Sequence, residues 1–353
     1  MVIIRVFRLK KRSLLLADSH HNHHPVHRVP DTSGRSTSHD CTSPTLERTP
    51  TESITIMKTS NLIINLCILL IAFSLARTNA TTRTATAEDF IRMRCNTDKA
   101  QDTILSWSGM SYSLEPQKQQ QPLFGLFGIN LARCWKDNSG SWQFTSRELQ
   151  YYLDPDTFKP LYKWNNPWTG ETQNVVHVAN DPVQFEYGTA SAPYELQGGD
   201  YATFVNTVNL FYPNPLYKNA TLRPYANYAE YEGSELFKFF TPENEVLNAS
   251  ATFAPSMHFS WTRISQWLPF MNMNGRPGSM MFTASGSRTT FEDLPQWLQD
   301  DINNRIPLYR HAPRCMLDLP DSTSWTYFQE HFESYLNGDQ FPIPVSAKPP
   351  CQH

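Results

Sequence analysis

The chain contains no run of about 20 apolar residues, the length that a membrane-spanning helix needs. Its most apolar stretch, Leu62 to Leu75, falls short. It also lacks a C-x-x-C pair, a Gly-x-Ser-x-Gly elbow, a Walker loop, a dinucleotide-binding Gly-rich loop and a His-Glu-x-x-His motif. These absences exclude the common zinc, serine-hydrolase, nucleotide and zincin templates. Cysteine is scarce, with six among 353 residues. Positive charge is also short: beyond residue 80 the chain keeps 20 Lys and Arg against 28 Asp and Glu, a net charge of −8. An acidic domain of this kind is a poor partner for nucleic acid or anionic membrane.

What the first eighty residues do contain is a targeting pattern. Met57-Lys58 precedes the apolar run, and Ser74-Leu75-Ala76 or Thr78-Asn79-Ala80 offers a small-residue cleavage site, so 57–80 reads as a secretory signal peptide. Residues 1–56, with the tract His20-His21-Asn22-His23-His24, have no core-forming pattern and read as a disordered leader or an over-extended gene model. The remaining chain, about 270 residues, suits one domain, 88–340, with a Pro-rich tail at 341–353.

Cysteine use agrees with export. Cys41 and Cys67 leave with the leader, and Cys95, Cys134, Cys315 and Cys351 remain. An even set in an oxidising compartment suggests two disulfides, with Cys315–Cys351 favoured because the tail most needs a staple. Asn219-Ala220-Thr221 and Asn248-Ala249-Ser250 are glycosylation sequons on loop-like sequence.

Alternating patterns predict strands at Thr103–Tyr112, Gly125–Trp135, Trp142–Tyr152, Lys159–Trp164, Thr172–Ala179, Val183–Tyr187, Tyr201–Phe211, Leu236–Phe240, Ser256–Ile264 and Met280–Ser285. Pro167 and Gly170 place a tight turn between two of them. Helical spacing is confined to a short segment near Phe90 and two amphipathic C-terminal stretches. One holds Leu294, Trp297, Leu298 and Ile302 behind a capping box at Thr290; the other holds Trp325, Phe328, Phe332 and Tyr335 and ends at Gly338. The expected fold is mainly β: an antiparallel β-barrel, or barrel-like sandwich, with two C-terminal helices.

The runs Tyr152-Leu153-Asp154-Pro155, Trp164 through Pro182, Tyr212-Pro213-Asn214-Pro215-Leu216, Ser260-Trp261-Thr262-Arg263, Trp267-Leu268-Pro269-Phe270 and Tyr309-Arg310-His311-Ala312-Pro313 resemble those of the domain of unknown function 1838 family, in order from about Asp89 to Phe332. The resemblance implies a frequently exported protein and no established activity.

Five His lie beyond residue 80: His177, His258, His311, His331 and His353. His177, between Glu171 and Asp181, is the best candidate for general acid or base, with Asp181 or Glu171 orienting it; on a strand with Val176 and Val178, a structural core His is the bland alternative. His258 alternates with Trp261 and Arg263, so it faces either solvent or a barrel lumen. Arg263 is the candidate anion contact, with stacking on Trp as its structural alternative. Trp164 and Trp168, beside a turn, are candidate ligand-stacking rings together with Trp261. No metal set and no cofactor are expected.

Two functions fit. One is a cofactor-independent lyase, isomerase or hydrolase acting on a small apolar or anionic metabolite; the other is a lipocalin-like carrier using the same pocket. A structural cell-wall glycoprotein is a third. The expected partner is a small molecule, and the expected location is extracellular.

Overall fold

A computed structural model describes residues 84–98, 101–187, 192–193, 195–196 and 200–345. The leader, the signal, Cys41, Cys67 and Cys351 lie outside the described residues.

The strands are β1 (Thr84–Ala85), β2 (Thr103–Leu114), β3 (Pro122–Lys136), β4 (Trp142–Leu153), β5 (Lys163–Asn165), β6 (Thr172–Asn174), β7 (Val178–Tyr187), β8 (Ala192–Pro193), β9 (Glu195–Leu196), β10 (Tyr201–Pro213), β11 (Glu230–Pro242), β12 (His258–Ser265) and β13 (Ser279–Thr289). Nine of them form one antiparallel sheet in the order β7-β4-β3-β2-β13-β12-β11-β10-β9, curled into a half-barrel. The helices are α1 (Ala87–Arg94), α2 (Glu243–Leu247), α3 (Gln296–Asn304), α4 (Ser324–Glu330) and α5 (Phe332–Asn337). The mainly β expectation with C-terminal helices holds. The sheet does not close, because β7 and β9 are its two ends.

Strand ends follow local turn chemistry. Asp137 Oδ1 accepts from the Ser139 and Ser141 amides at 2.8 and 3.0 Å, an Asx turn between β3 and β4. Asp154 Oδ1 accepts from Thr157 N at 2.8 Å after β4. The Trp164 hairpin forms as expected, with Trp164 opposite Gln173. Gly170 there takes φ of 74°, which a residue without Cβ adopts at little cost.

Four elements depart from the sequence pattern; one is the strand expected at Lys159–Trp164, which is confined to Lys163–Asn165. The expected strand Thr172–Ala179 is interrupted between Asn174 and Val178. The ladder between β4 and β7 ends at Gln150–Val178, and the next β4 amide, that of Tyr152, donates to the His177 ring instead of a backbone carbonyl. The expected helix from Trp325 to Leu336 breaks at His331, with ψ of 28°; Thr323, in a capping box with Thr326, starts it. Thr290 Oγ1 does bond Asp293 at 2.7 Å, yet α3 begins only after Pro295, whose fixed φ suits a helix start.

Cross-strand register assigns each residue to a face. Trp107, Gly128 and Gln150 are directly opposite one another across β2, β3 and β4; Phe282, Arg263 and Glu235 align across β13, β12 and β11. These residues share the inner face. The other face is covered by α3 over β3 and β4, where Trp297 packs on Phe127 and Tyr151. Over β10 to β12 that face is open, leaving Val205, Phe211, Leu236 and Ile264 exposed.

Two plugs finish the inner face at its ends. Phe90 of α1 packs on Tyr187, Phe204 and Phe239, touching strands from both sides of the gap. Arg94 sits 5.3 Å from the ring centres of Phe144 and Phe239. A buried disulfide, Cys95–Cys134, ties this helix to β3. At the other end Trp325 of α4 packs 4.3 Å from Tyr231, while Ser322 N donates to Pro182 O on β7 at 2.8 Å. Cys315 is also disulfide-bonded.

Gly128 is where close approach demands glycine: a Cβ there would lie 2.2 Å from the Trp107 ring. Gly128→Ala should therefore displace that indole and destabilise the fold by about 1–3 kcal/mol, measured by urea unfolding. An unchanged unfolding midpoint would show that Trp107 does not pack against β3.

Candidate functional site

The inner face between the two plugs is built from aromatic rings and a set of polar groups held in place by one another. Arg263 pairs with Glu235, its direct cross-strand partner, at 3.1 Å and donates to Tyr231 Oη at 2.5 Å. Glu148 on β4 accepts from Asn130 Nδ2 at 3.2 Å and Asn180 Nδ2 at 3.3 Å. Trp107 Nε1 donates to Gln150 Oε1 at 2.9 Å. Trp261, Phe237 and Phe282 stack beside these, with ring centres 6.3 and 5.9 Å from Trp261.

Glu148 lies deep in the fold but keeps accessible surface. Arg263 is equally deep, and its side chain and that of Glu235 remain 21% and 14% exposed. Trp107, Val178, Phe237, Leu210 and Tyr212 are likewise only partly buried. Together these groups leave open surface along the concave side of the half-barrel, its hollow. Several buried polar atoms on this face have no hydrogen-bond partner: Trp261 Nε1, Arg263 Nε, Asn130 Oδ1 and Asn180 Oδ1. Burial and then the negative charge of Glu235 hold the Glu148 carboxyl above the usual range, against the pull of Asn180, Arg94 and Arg263. The hollow thus offers both donors and acceptors between ring faces.

The residues singled out from sequence distribute over three places. Trp261 and Arg263 line the hollow. Trp164 packs 5.4 Å from Phe124 and 6.2 Å from Trp168; Trp168 packs on Trp267 at 5.2 Å and donates Nε1–H to Glu115 at 3.0 Å, under the Arg276 guanidinium. These two rings hold the hairpin against the domain. His258 is exposed on the outer face of β12, so the set His258, Ser260 and Thr262 points away from the hollow.

His177 is fully buried on the helix-covered side, 4.6 Å from Tyr151. Its Nδ1 accepts from the Tyr152 amide at 3.1 Å, and its Nε2 has no partner. Asp181 pairs with Arg147 at 3.1 Å. Glu171 accepts from Gln173 at 3.1 Å beside an exposed turn. The structure brings none of these carboxylates into hydrogen bonding with His177. Glu148, Gln150, Asn130, Asn180, Trp107, Phe237 and Glu235 are functional candidates that the sequence pattern alone did not single out. A signal was present on β4, where Ser146, Glu148 and Gln150 alternate with Arg147, Leu149 and Tyr151: a polar stripe on a strand paired on both sides.

Among the described residues, no group of three or more His, Cys, Asp or Glu is arranged to hold a metal ion, and no helix is long and apolar enough to cross a membrane. A surface groove beside α2, lined by Asn244, Glu245, Asn248 and Phe253, lies outside the half-barrel interior and carries the second sequon.

Residues 100–332 match the family described as protein of unknown function (DUF1838), and the chain belongs to that family. No curated protein matches the chain. Among solved structures, one described as lipid–protein interactions in lipovitellin is similar over 54% of this chain and 25% of its own, with 11% identity and a TM-score of 0.23. The similarity therefore spans about a quarter of the lipovitellin chain.

Burial and then the charge of Arg305 lower the His177 pKa to about 3, from an ordinary value of 6.5. The unfolded state binds the proton more readily, so His177 contributes stability above about pH 6.5 that is lost as pH falls toward 3. His177→Phe should be less stable than wild type at pH 7 by about 1–3 kcal/mol, because the Tyr152 amide loses its acceptor. The difference should narrow at pH 4.5. Urea unfolding at both pH values checks this, and a difference that widens in acid would contradict it.

Proposed function

We propose that this DUF1838 member binds a small, uncharged, ring-containing molecule with oxygen functions in the hollow of its half-barrel, as an exported protein. The observation that carries the reading is the open surface on deep inner-face groups, Glu148, Glu235 and Arg263, between the Trp107, Phe237 and Trp261 rings. Ring faces supply contact area at little entropic cost. The charge on Arg263 is already answered by Glu235, so a second buried charge would enter without a counter-ion. The open polar surface of Glu148, Glu235 and Arg263 suits hydroxyl or carbonyl groups.

Export is supported by the buried Cys95–Cys134 bond, of a kind retained in oxidising compartments, and by the exposure of both sequon asparagines, Asn219 and Asn248. Peptide mapping of protein secreted from a eukaryotic host should find a start near Thr81, glycans at both asparagines and a Cys315–Cys351 link. A retained residue 1–56 segment on the secreted product would overturn cleavage near Thr81, and Cys351 found free would overturn that disulfide pairing.

Binding is tested with N-phenyl-1-naphthylamine, an uncharged probe carrying a naphthyl and a phenyl group, by quenching of tryptophan fluorescence. Saturable one-site binding is expected, weakened roughly tenfold or more in Phe237→Ala, which removes one wall and its contact area. Absence of saturable binding to the folded protein, or equal binding by the variant, would refute the assignment.

A further inference from the structure

The groove beside α2 is bordered by the asparagine of a glycosylation sequon. Its volume is about 450 Å³, and its lining includes Asn244, Glu245, Asn248, Phe253 and Pro255; small-molecule sites begin at roughly 300 Å³. Asn248 is exposed, and its Oδ1 accepts from the Ser250 hydroxyl at 2.7 Å and from the Ser250 amide at 3.2 Å. Both bonds fall on the oxygen, so the sequon leaves the amide nitrogen, the atom that carries an N-linked sugar, unengaged. A glycan on Asn248 therefore starts at the rim of the groove.

Phe253 supplies a second observation. Its ring is only half-buried, lies 5.0 Å from the Arg288 guanidinium and still lines the groove. A pyranose presents C–H groups on its face and hydroxyls around its edge, so it can cover such a ring and remove apolar surface from water. Asn244 and Glu245 at the groove are partners for the hydroxyls. The tether matters as much as the chemistry. A contact too weak to hold a free sugar becomes intramolecular when the sugar is attached beside it, which lowers the entropic cost of association.

The frame of the groove is fixed by the protein itself. Glu245 Oε2 accepts from Thr241 Oγ1 and from Ser256 N, each at 3.0 Å. Arg92 of α1 donates to Asn248 O at 2.7 Å and to Val246 O at 2.8 Å, and Ala254 N donates to Arg92 O at 2.9 Å. The segment that forms the groove is thus the one that holds α1, whose Phe90 and Arg94 plug one end of the half-barrel.

We propose that the groove is a cradle for the first N-acetylglucosamine of a glycan on Asn248, that a face of this sugar lies on the Phe253 ring, and that the sugar braces the segment anchoring α1. The inference rests on the export reading above and gives its glycan a structural task.

The test uses the chain secreted from a eukaryotic host as wild type, Ser250→Ala, Phe253→Ala and the double variant, with the Asn219 sequon intact in all four. Ser250→Ala abolishes the Asn248 sequon. In urea unfolding it should lower the midpoint, and by less when Phe253 is already replaced, with a coupling of roughly twofold or more in the folding equilibrium constant. The hydroxyl lost from Ser250 weighs equally in both backgrounds and drops out of the comparison. In NMR spectra of wild type trimmed to single sugars, protons of one N-acetylglucosamine should be shifted upfield by the Phe253 ring and lose that shift in Phe253→Ala. Should Phe253→Ala fail to fold, Phe253→Leu, which keeps bulk and removes the ring current, decides by the same signals. A glycosylated Asn248 whose loss costs the same with and without Phe253, and whose sugar signals are unshifted, would overturn the cradle and leave the export reading standing. Asn248 found bare by glycopeptide mapping of the secreted wild type would overturn the glycan assignment there and the cradle with it.

Discussion

The curl of the sheet without closure is the constraint from which the rest follows. An open antiparallel sheet has an inner face too large to fill with its own side chains and two edges that must be protected. Here Phe90 and Arg94 enter from α1 at one end and Trp325 from α4 at the other. Each plug touches strands on both sides of the gap, so each also holds the curl. Between them Gly109 stands opposite Ala284, and Gly128 and Gly286 both stand opposite Trp107; no Cβ fits at the three glycines without displacing a neighbour. The missing side chains at Gly128 and Gly286 let the Trp107 and Phe259 rings lie directly on the sheet.

The two faces of the sheet carry different sets of contacts. On the helix-covered side, Arg147 donates to the Leu308 and His311 carbonyls and pairs with Asp181, while His177 completes the end of the β4–β7 ladder. These contacts fasten the C-terminal segment to β4 and β7. On the inner side Glu148 and Gln150, from the same strand β4, turn toward the hollow. Alternation along one strand therefore gives one set of side chains to anchoring and the next to the interior.

Much of this was legible in the sequence. Strand positions, the Trp164 hairpin and the C-terminal amphipathic helices follow from periodicity and turn residues, and Arg263 stands out in the sequence because it sits between Trp261 and Trp267. What could not be read was register. Glu235 lies just outside the run that alternation marks, Leu236–Phe240, because Glu230–Ser234 is polar and Gly-containing; its pairing with Arg263 exists only once β11 is aligned on β12. His177 drew attention through its neighbours in sequence, but Glu171 is on a turn and Asp181 points to Arg147. Proximity along the chain is a poor guide where a strand breaks, as it does at Val175–His177. The polar stripe of Ser146, Glu148 and Gln150 was visible, yet only the curl of the sheet makes its side the interior.

The central claim is that the inner face encloses space for a ring-shaped ligand. A crystal structure of the protein grown with N-phenyl-1-naphthylamine tests it directly. Electron density for the rings between Phe237, Trp261 and Trp107, with Arg263 still paired to Glu235, is the expected result. Side chains filling that space, or the probe found only against Val205, Phe211 and Ile264 on the outer face, would contradict it.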